Sequence, residues 1–406
     1  MRVTFVNDCG FVGGAGIGQR RQVQALVDLG HDVDVVCWLD HPAPDPLPLR
    51  SRTPRGSFLG VSKHPNIHSD NGLDDNAIAD AVLAEVAARK PDAVVFGNLH
   101  WAKWPLRTIL RVRDAGFPTV AYMHDCHWAT GRCAYFGDCG RYVVGCDATC
   151  PTPAEYPSLD PALISDAWAE RRGVFTGEGR IPIATNSNWT SDVARRAFDD
   201  RALVSTVALG LDENLYRPSS RSLARALLNL PEEGIVAIVG AVNLAEERKG
   251  GPMLRGVLEA LARDSKVTVI GFGHNSEYIA GVKGFGNIVD ERMMPILFNA
   301  ADLMINAPKD EAFGQTLMEA AACGLPLVAT HVGGGGEVAR ADENAILVSY
   351  GDIDAMVEGV SRLALDSDMR RAFGRRSREI VERDFSVEAH AERWARLFNA
   401  LGMDQE

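Results

Sequence analysis

The sequence predicts an α/β protein of two domains, each a parallel β-sheet covered by helices, that face a central cleft. Its 406 residues exceed one ordinary hydrophobic core, so two domains of about 200 residues each are expected. Short β-branched runs alternate with amphipathic helical patterns, which is typical of parallel sheets. The alternation restarts at Gly234, after a connecting stretch rich in turn residues.

The first half contains five predicted strands and one long insertion. An amphipathic helix is predicted over 19–29 and a proline-rich loop over 42–54. The segment 125–160 has little periodicity and many Cys, Gly and aromatic residues, and a loop of that length is usually functional. The predicted strands lie at 3–6, 33–37, 93–96, 119–123 and 181–184.

The second half repeats this plan, so both domains are predicted to be Rossmann-like. Its strands are predicted at 234–240, 267–270, 303–306, 327–329 and 346–348. A last amphipathic helix over 388–401 has no strand after it. The predicted domains are 1–217 and 218–385, with residues 386–406 returning to the first domain.

Composition narrows the classes of function. A formal charge of −12 argues against a nucleic-acid partner. The longest apolar runs, such as 235–241, fall far short of the roughly 20 residues that cross a bilayer. Met1 leads directly into a strand rather than a signal peptide. The sequence predicts a cytoplasmic protein without a transmembrane segment, and peripheral membrane contact stays open.

The first candidate site is a glycine-rich turn after the first strand, over residues 7–18. Backbone N–H groups at Gly13 and Gly14, with the start of the following helix, suit an anion such as phosphate. The alternative is a tight turn that only helix-on-sheet packing requires. A G-x-G-x-x-G dinucleotide fingerprint fails because Gln19 stands at its third glycine position, which disfavours a nicotinamide oxidoreductase.

The second candidate is the loop over 240–251, where Arg248 and Lys249 stand side by side ahead of a helix. Two positive charges and helix N-terminal amides would neutralise the charge that develops on a departing diphosphate. Asn243 lies in the same loop and joins the donor-binding candidates. The alternative is a solvated surface pair of cations.

The third candidate is a pair of carboxylates, Glu311 and Glu319, eight residues apart across a strand-to-helix loop. Carboxylates accept hydrogen bonds from diols, so Glu319 suits ribose hydroxyls and Glu311 a donor sugar. The alternative is one capping and one surface carboxylate. Backbone amides at the helix start can bind phosphate, and they belong to Phe313, Gly314, Gln315 and Thr316.

These motifs together resemble the retaining GT-B enzymes of glycosyltransferase family 4. The resemblance spans the whole chain, and 120–133 with Gly145-Cys146 and Cys150-Pro151 resembles a bacterial polysaccharide-type subgroup. It implies the GT-B fold and sugar transfer from a nucleoside-diphosphate donor with retention of anomeric configuration. The motifs that carry it are Arg-Lys-Gly at 248–250, Glu-x7-Glu at 311–319, Cys-Gly-Leu-Pro-Leu-Val-Ala-Thr at 323–330 and Val-Gly-Gly at 332–334.

The resemblance also implies a role for each candidate residue. Many members of this family carry Arg where this chain has Ala241, which leaves Arg248 to supply the second charge. The other histidines, such as His100, lack comparable support. Carried over by position, Lys249 and Arg248 hold the diphosphate, Glu319 the ribose and Glu311 the transferred sugar, His124 lines the donor-sugar site, and Asp125 and the Gly13-Gly14 loop lie beside the acceptor and the phosphate.

The implied partners are a nucleotide sugar, with UDP or GDP favoured, and an acceptor. The acceptor is a glycan in polysaccharide biosynthesis, a lipid-linked glycan or a small molecule, and the chemistry needs no cofactor. Two alternatives stay open. One is a catalytically silent nucleotide-sugar-binding protein, and the other is different GT-B chemistry, such as a sugar-nucleotide epimerase or a pyridoxal-phosphate phosphorylase.

Five cysteines crowd into the insertion, and four of them are the candidate metal ligands: Cys133, Cys139, Cys146 and Cys150. Disulfides do not persist in a reducing cytoplasm, so a structural Zn²⁺ site is predicted, with an iron–sulfur cluster less favoured. Because no C-x2-C pair is present, free or redox-labile thiols are the alternative. The clamped loop is expected to shape the acceptor side of the cleft without taking part in bond breaking.

Overall fold

The computed structural model describes residues 1–39, 56–264 and 267–403, so the predicted proline-rich loop over 42–54 lies outside the described residues. The chain forms two compact units. The first comprises Met1–Leu209 and His390–Glu406, and the second comprises Gly210–Ala389. The division therefore falls at Leu209 and Gly210, eight residues before the boundary expected from the sequence at 217. No helix in the described part of the chain combines the length and apolar character that a membrane crossing needs.

The first unit is built on a parallel sheet with strand order β3-β2-β1-β4-β5-β6-β7 among the described residues. The order reverses between β1 and β4, and ligands of open α/β sheets bind at such a switch point, outside the carboxyl ends of the strands. The strands are β1 Arg2–Cys9, β2 Asp32–Leu39, β3 Phe58–Lys63, β4 Ala93–Phe96, β5 Thr119–Met123, β6 Ile183–Thr185 and β7 Val204–Thr206.

Helices cover both faces of this sheet, which is why β4, β5 and β6 are buried along their whole length. Local sequence sets the helix starts: the Asp160 side chain caps α5 ahead of Pro161, and Ser187 and Thr190 form a capping box on α6. The helices are α1 Gly13–Asp28, α2 Asp75–Arg89, α3 Arg107–Asp114, α4 Arg141–Val144, α5 Pro161–Thr176 and α6 Asn188–Phe198.

The second unit repeats the architecture with strand order β10-β9-β8-β11-β12-β13, again parallel and with its switch point between β8 and β11. The strands are β8 Ile235–Asn243, β9 Val267–His274, β10 Val282–Gly284, β11 Leu303–Asn306, β12 Leu327–Thr330 and β13 Ala345–Val348. The helices are α7 Arg221–Leu227, α8 Gly251–Asp264, α9 Met293–Ala300, α10 Gln315–Ala322, α11 Ile353–Leu365 and α12 Ser367–Asp384.

The last helix, α13 Val387–Ala400, carries its apolar stripe onto the first unit from His390 onward. The Trp394 ring lies 5.7 Å from the Tyr122 ring and 6.1 Å from the Phe5 ring. His390 Nδ1 lies 2.7 Å from the carbonyl oxygen of Ala208. The apolar stripe seen in the sequence is therefore part of the first unit's core.

The structure differs from the sequence expectations mainly in short elements. Strands β3, β7 and β10 were not predicted, because they lie at sheet edges and none of their residues is buried, so they lack the buried apolar run that marks the other strands. The first helix begins at Gly13, six residues before its predicted start at 19. The second half of the glycine-rich segment is thus helical, and Gly16 and Gly18 are buried within α1.

Candidate active site

The cationic loop and the first carboxylate meet at the switch point of the second unit. The loop after β8 carries Arg248 and Lys249, and the loop after β11 carries Glu311. Because β8 and β11 are parallel neighbours, their carboxyl ends open on the same edge of the sheet. The 62 residues that separate Lys249 from Glu311 in sequence hide this proximity.

Lys249 and Glu311 form an ion pair with 2.7 Å between Nζ and Oε2, and their side chains are only 19% and 12% exposed. Burial raises the pKa of Glu311, but the charge and hydrogen bond of Lys249, the charge of Arg248 and the N–H of Phe313 outweigh it and hold the pKa below its usual value. Glu311 is therefore ionised at neutral pH. Its contribution to stability is present above the ordinary glutamate pKa and is lost as pH falls through the lowered one.

Hydrogen bonds and one glycine hold the cationic loop in place. The Asn243 side chain accepts a hydrogen bond from Ala245 N–H at 3.0 Å, so its oxygen supports the turn. Arg248 Nε donates to Glu246 at 2.9 Å, and the Arg248 carbonyl accepts from Lys309 N–H at 2.8 Å. Gly250 has a φ of +80°, and a Cβ there would lie 1.7 Å from the carbonyl oxygen of Ala307. Glycine is thus required where the loop crosses the end of β11.

The second carboxylate lies in α10, which begins after Gly314 at a φ of +93°. Glu319 is 6% exposed, in the second turn of this helix. Phe313 is buried with its ring 5.5 Å from that of Phe385, and its N–H donates to Glu311. The Phe313 ring therefore packs in the core, and its amide is already engaged by Glu311. Gln315 and Thr316 lie in the first turn of α10.

In the first unit, His124 follows β5 and is 7% exposed. Its ring lies against α1, since a Cβ added at Gly18 would be 3.5 Å away, and Asn186 Nδ2 donates to its carbonyl oxygen at 2.9 Å. Burial, partly offset by the charge of Asp125, lowers the pKa of His124 to about 4. His124 is therefore neutral at physiological pH. Gly13 and Gly14 are the first residues of α1, with open space around the Cβ position of Gly13.

Asp125 lies in a hydrogen-bonded network that sequence reasoning missed. Its carboxylate accepts from Asn98 Nδ2 at 2.9 Å and from the N–H of His127 at 2.9 Å, and it pairs with His100 Nε2 at 3.1 Å. Burial raises the pKa of Asp125, but His100 outweighs it and lowers the pKa overall. In His100 the order is opposite: burial lowers the pKa, and Asp125 raises it above the usual value. His100 is thus the ion-pair partner of Asp125, a role that the sequence analysis did not assign to it.

Asp8 ends β1 beside this network and is also missing from the sequence candidates. Its Oδ2 accepts from Trp101 N–H at 2.8 Å, and it is 2% exposed. Burial raises the pKa of Asp8 to about 6, against the opposing effects of His100 and Trp101 N–H. The signal that finds these residues is positional: Asp8, Asn98 and Asp125 each stand just beyond or at the carboxyl end of β1, β4 and β5.

Asp8→Asn is expected to raise the free energy of unfolding at pH 7.5 by about 1–3 kcal/mol, as two pKa units correspond to roughly 2.7 kcal/mol. Because the folded-state pKa is raised, the stability tied to protonated Asp8 is present below pH 4 and lost as pH rises through about 6. Urea unfolding of the wild type and the variant at pH 7.5 and at pH 4 measures this. At pH 4 we expect no increase in the free energy of unfolding.

The control is Asp34→Asn, which should destabilise at pH 7.5 because Asp34 is buried and accepts from Thr4 Oγ1 at 2.7 Å beside Arg2 and Arg89. If Asp8→Asn were no more stable than the wild type at pH 7.5, the ionised Asp8 carboxylate would not be destabilising, and the prediction would be wrong.

Hydrogen bonds from two arginines and aromatic packing hold the cysteine-rich insertion in place. Arg132 donates to the carbonyls of Glu155 and Pro157, both at 2.6 Å, and Arg171 donates to the carbonyl of Thr130 at 3.1 Å and contacts His127 Nε2 at 2.9 Å. Its aromatic residues Trp128, Phe136 and Tyr142 pack with the first unit's core. The insertion is therefore anchored to the first unit both by packing and by hydrogen bonds.

The four candidate ligands, Cys133, Cys139, Cys146 and Cys150, line one cavity. Across residues 1–39, 56–264 and 267–403, however, no three His, Cys, Asp or Glu side chains are arranged to hold a metal ion. Burial raises the pKa of Cys133 to about 11, so a metal would have to displace its proton. The zinc site stays a prediction.

The chain is similar to known proteins in sequence and in fold. Residues 265–380 match the family model described as Glycosyl transferases group 1. The chain is 25% identical over 319 residues to the D-inositol 3-phosphate glycosyltransferase of Saccharomonospora viridis, with 71% of each chain covered. It is 31% identical over 308 residues to that of Salinispora tropica, covering 68% of this chain and 62% of the relative, less than two thirds of its length.

Solved structures match nearly the whole chain. Sucrose-phosphate synthase from Thermosynechococcus elongatus has a TM-score of 0.73 at 20% identity and 99% coverage of both chains. HepE from Anabaena in complex with UDP and glucose has a TM-score of 0.71 at 19% identity, covering 98% of this chain and 100% of that chain. The fold is therefore GT-B, as the sequence predicted. With the match to Glycosyl transferases group 1, the class supported is a glycosyltransferase.

Proposed function

We propose that this protein is a retaining glycosyltransferase that moves a sugar from a nucleoside-diphosphate sugar to an acceptor hydroxyl. The Lys249–Glu311 pair beside Arg248, at the switch point of the second unit, is the observation that carries the proposal. Two cations beside an ionised carboxylate suit a diphosphate and a sugar hydroxyl, which supports this proposal.

The pairing refines the separate roles that the resemblance implies. An ammonium has three donors, so Lys249 can keep its hydrogen bond to Glu311 while it donates to a phosphate oxygen. The charge that builds on the leaving diphosphate is then stabilised by Lys249 and Arg248, and Glu311 accepts from a hydroxyl of the transferred sugar. Glu319 binds the ribose diol through its two carboxylate oxygens.

Retention is what the resemblance to the retaining GT-B enzymes of glycosyltransferase family 4 implies, and the neutral state of His124 is consistent with it. With a pKa of about 4, His124 is a hydrogen-bonding group and a poor proton acceptor at neutral pH. The leaving phosphate oxygen itself then takes the acceptor's proton, on the face from which it departs. Proton NMR of the first product should show the anomeric configuration of the donor, and an inverted product would contradict this step.

A thermal-shift panel of UDP-, GDP-, ADP- and dTDP-sugars tests the donor site. We expect one nucleotide to raise the melting temperature of the wild type, since saturation at 100 times Kd stabilises by about 2.7 kcal/mol. Glu319→Ala should abolish the shift because it removes the ribose acceptor. Glu358→Ala, an exposed glutamate on α11, is the matched control and should keep it. No shift of the wild type with any donor would contradict the proposed function.

A further inference from the structure

A compact group of polar side chains occupies the switch point of the first unit. Asp8 lies at the end of β1, Asn98 and His100 follow β4, and Asp125 follows β5. We call these four residues the switch-point cluster. Parallel-sheet domains bind ligands at this place in the fold, and the glycosyl donor proposed above is held by the second unit.

The cluster is buried but not fully satisfied. Asp8, Asn98 and Asp125 are 2%, 6% and 6% exposed. Asn98 Nδ2 donates to Asp125, whereas Asn98 Oδ1 is buried and accepts no hydrogen bond from the described residues. A buried acceptor without a hydrogen bond is unfavourable, so it indicates a missing donor. A hydroxyl group is such a donor.

Two exposed aromatic residues lie next to the cluster. Trp101 is 39% exposed, and its backbone N–H donates to Asp8 Oδ2 at 2.8 Å. Tyr156 is 62% exposed, and its hydroxyl lies 2.8 Å from His100 Nδ1. A sugar or cyclic polyol has an apolar C–H face and a rim of hydroxyls, which match exposed rings beside buried carboxylates.

The charges around the cluster disfavour an anion. Asp8 and Asp125 bring two carboxylates against one imidazole, His100, whose Nε2 already pairs with Asp125. The neighbouring guanidinium of Arg171 is engaged by His127 and by the carbonyls of Thr130 and Gly131. A phosphate ester would therefore meet a carboxylate without a free cation among these contacts, and such repulsion is a common source of specificity.

We infer that the switch-point cluster binds the acceptor and that this acceptor is an uncharged sugar or polyol rather than a phosphate ester. The inference rests on the proposed function. Asp125 and Asn98 Oδ1 would accept from acceptor hydroxyls, and Trp101 and Tyr156 would contact its C–H face. The inositol phosphate in the names of the relatives is then not the acceptor of this chain.

Saturation-transfer difference NMR on the full chain tests this with matched probes. The probes are methyl glucoside, methyl mannoside, methyl galactoside and myo-inositol, each beside its phosphate monoester at constant ionic strength. We expect the uncharged member of at least one pair to bind and its ester to bind at least about tenfold more weakly. Trp101→Ala and Asp125→Asn should each raise the Kd of the uncharged probe at least about tenfold. Tyr278→Ala removes an aromatic ring that is 86% exposed in the second unit and should leave the Kd unchanged.

The nucleotide-sugar thermal shift, measured on the same samples, separates the possible failures. A normal shift with no uncharged probe bound, with an ester bound equally well, or with both variants unaffected overturns the acceptor inference alone. Loss of the shift in the wild type overturns the proposed function, and the acceptor inference falls with it. Trp101→Ala and Asp125→Asn must keep the wild-type shift, which shows that they fold.

Discussion

Replacing Lys249 by Gln lowers kcat for sugar transfer by an expected 10²–10³-fold, the usual cost of removing one preorganised group that stabilises developing charge. Lys249 lies 2.7 Å from Glu311, and both side chains are largely buried. Lys309→Gln is the matched control: Lys309 contacts Glu247 at 3.0 Å, but Glu247 is 72% exposed. Surface pairs contribute about 0–1 kcal/mol, so we expect its kcat to stay within about twofold of wild type. Steady-state kinetics with one donor measures both.

The single substitution also leaves Glu311 buried without its cation, which commonly costs about 3–5 kcal/mol. The double variant Lys249→Gln/Glu311→Gln removes that unpaired charge. We therefore expect its free energy of unfolding to recover toward the wild type while kcat stays low. A double variant that regained activity along with stability would show that neither side chain is needed for sugar transfer and that the single substitution acted only by destabilising the site.

Gly333→Ala is expected to lower kcat/KM by about 10²-fold, because a displacement of roughly 1 Å at a catalytic group costs that much. Gly333 has a φ of +54°, and a Cβ there would lie 1.8 Å from the carbonyl oxygen of Glu311. The next N–H, of Gly334, donates to the same oxygen at 2.9 Å, so the Glu311 backbone has to shift. The clash and the positive φ also lower the stability of the second unit.

Gly336→Ala, three residues away, is the control for the glycine run. A Cβ there finds its nearest neighbour at 3.8 Å, in the His331 ring, which is ordinary contact. We expect kcat/KM and the melting temperature of this variant to stay close to the wild type. Equal activities of the two alanine variants, in the same kinetic assay, would show that Gly333 does not position Glu311.

The expectations that held depend on local patterns. The buried β-branched runs predicted the central strands of both sheets, because strand periodicity and burial are readable over a few residues. The edge strands β3, β7 and β10 were missed because none of their residues is buried, which leaves no buried apolar run in the sequence. Glu311 and Lys249 could be picked out as chemistry-bearing residues, but their ion pair across 62 residues could not.

Only tertiary structure brought out the first unit's polar network. Asp8, His100 and Asp125 are far apart in sequence, and a lone histidine after a strand has no pattern that marks it. Their protonation preferences come from burial and from one another, which exist only once β1, β4 and β5 align their carboxyl ends. Tertiary structure also revealed what anchors the insertion. Arg132 and Arg171 donate hydrogen bonds to its backbone carbonyls, and these contacts could not be predicted from the sequence.

The sequence by itself determined the class of this protein: two parallel α/β units, a cationic loop and two carboxylates on strand-to-helix connections. Composition, periodicity and turn residues encode these features locally, so they can be read without coordinates. The tertiary structure decided which charges meet, which are buried and which acceptors lack a donor. Those are properties of distance and desolvation, and only the folded chain sets them.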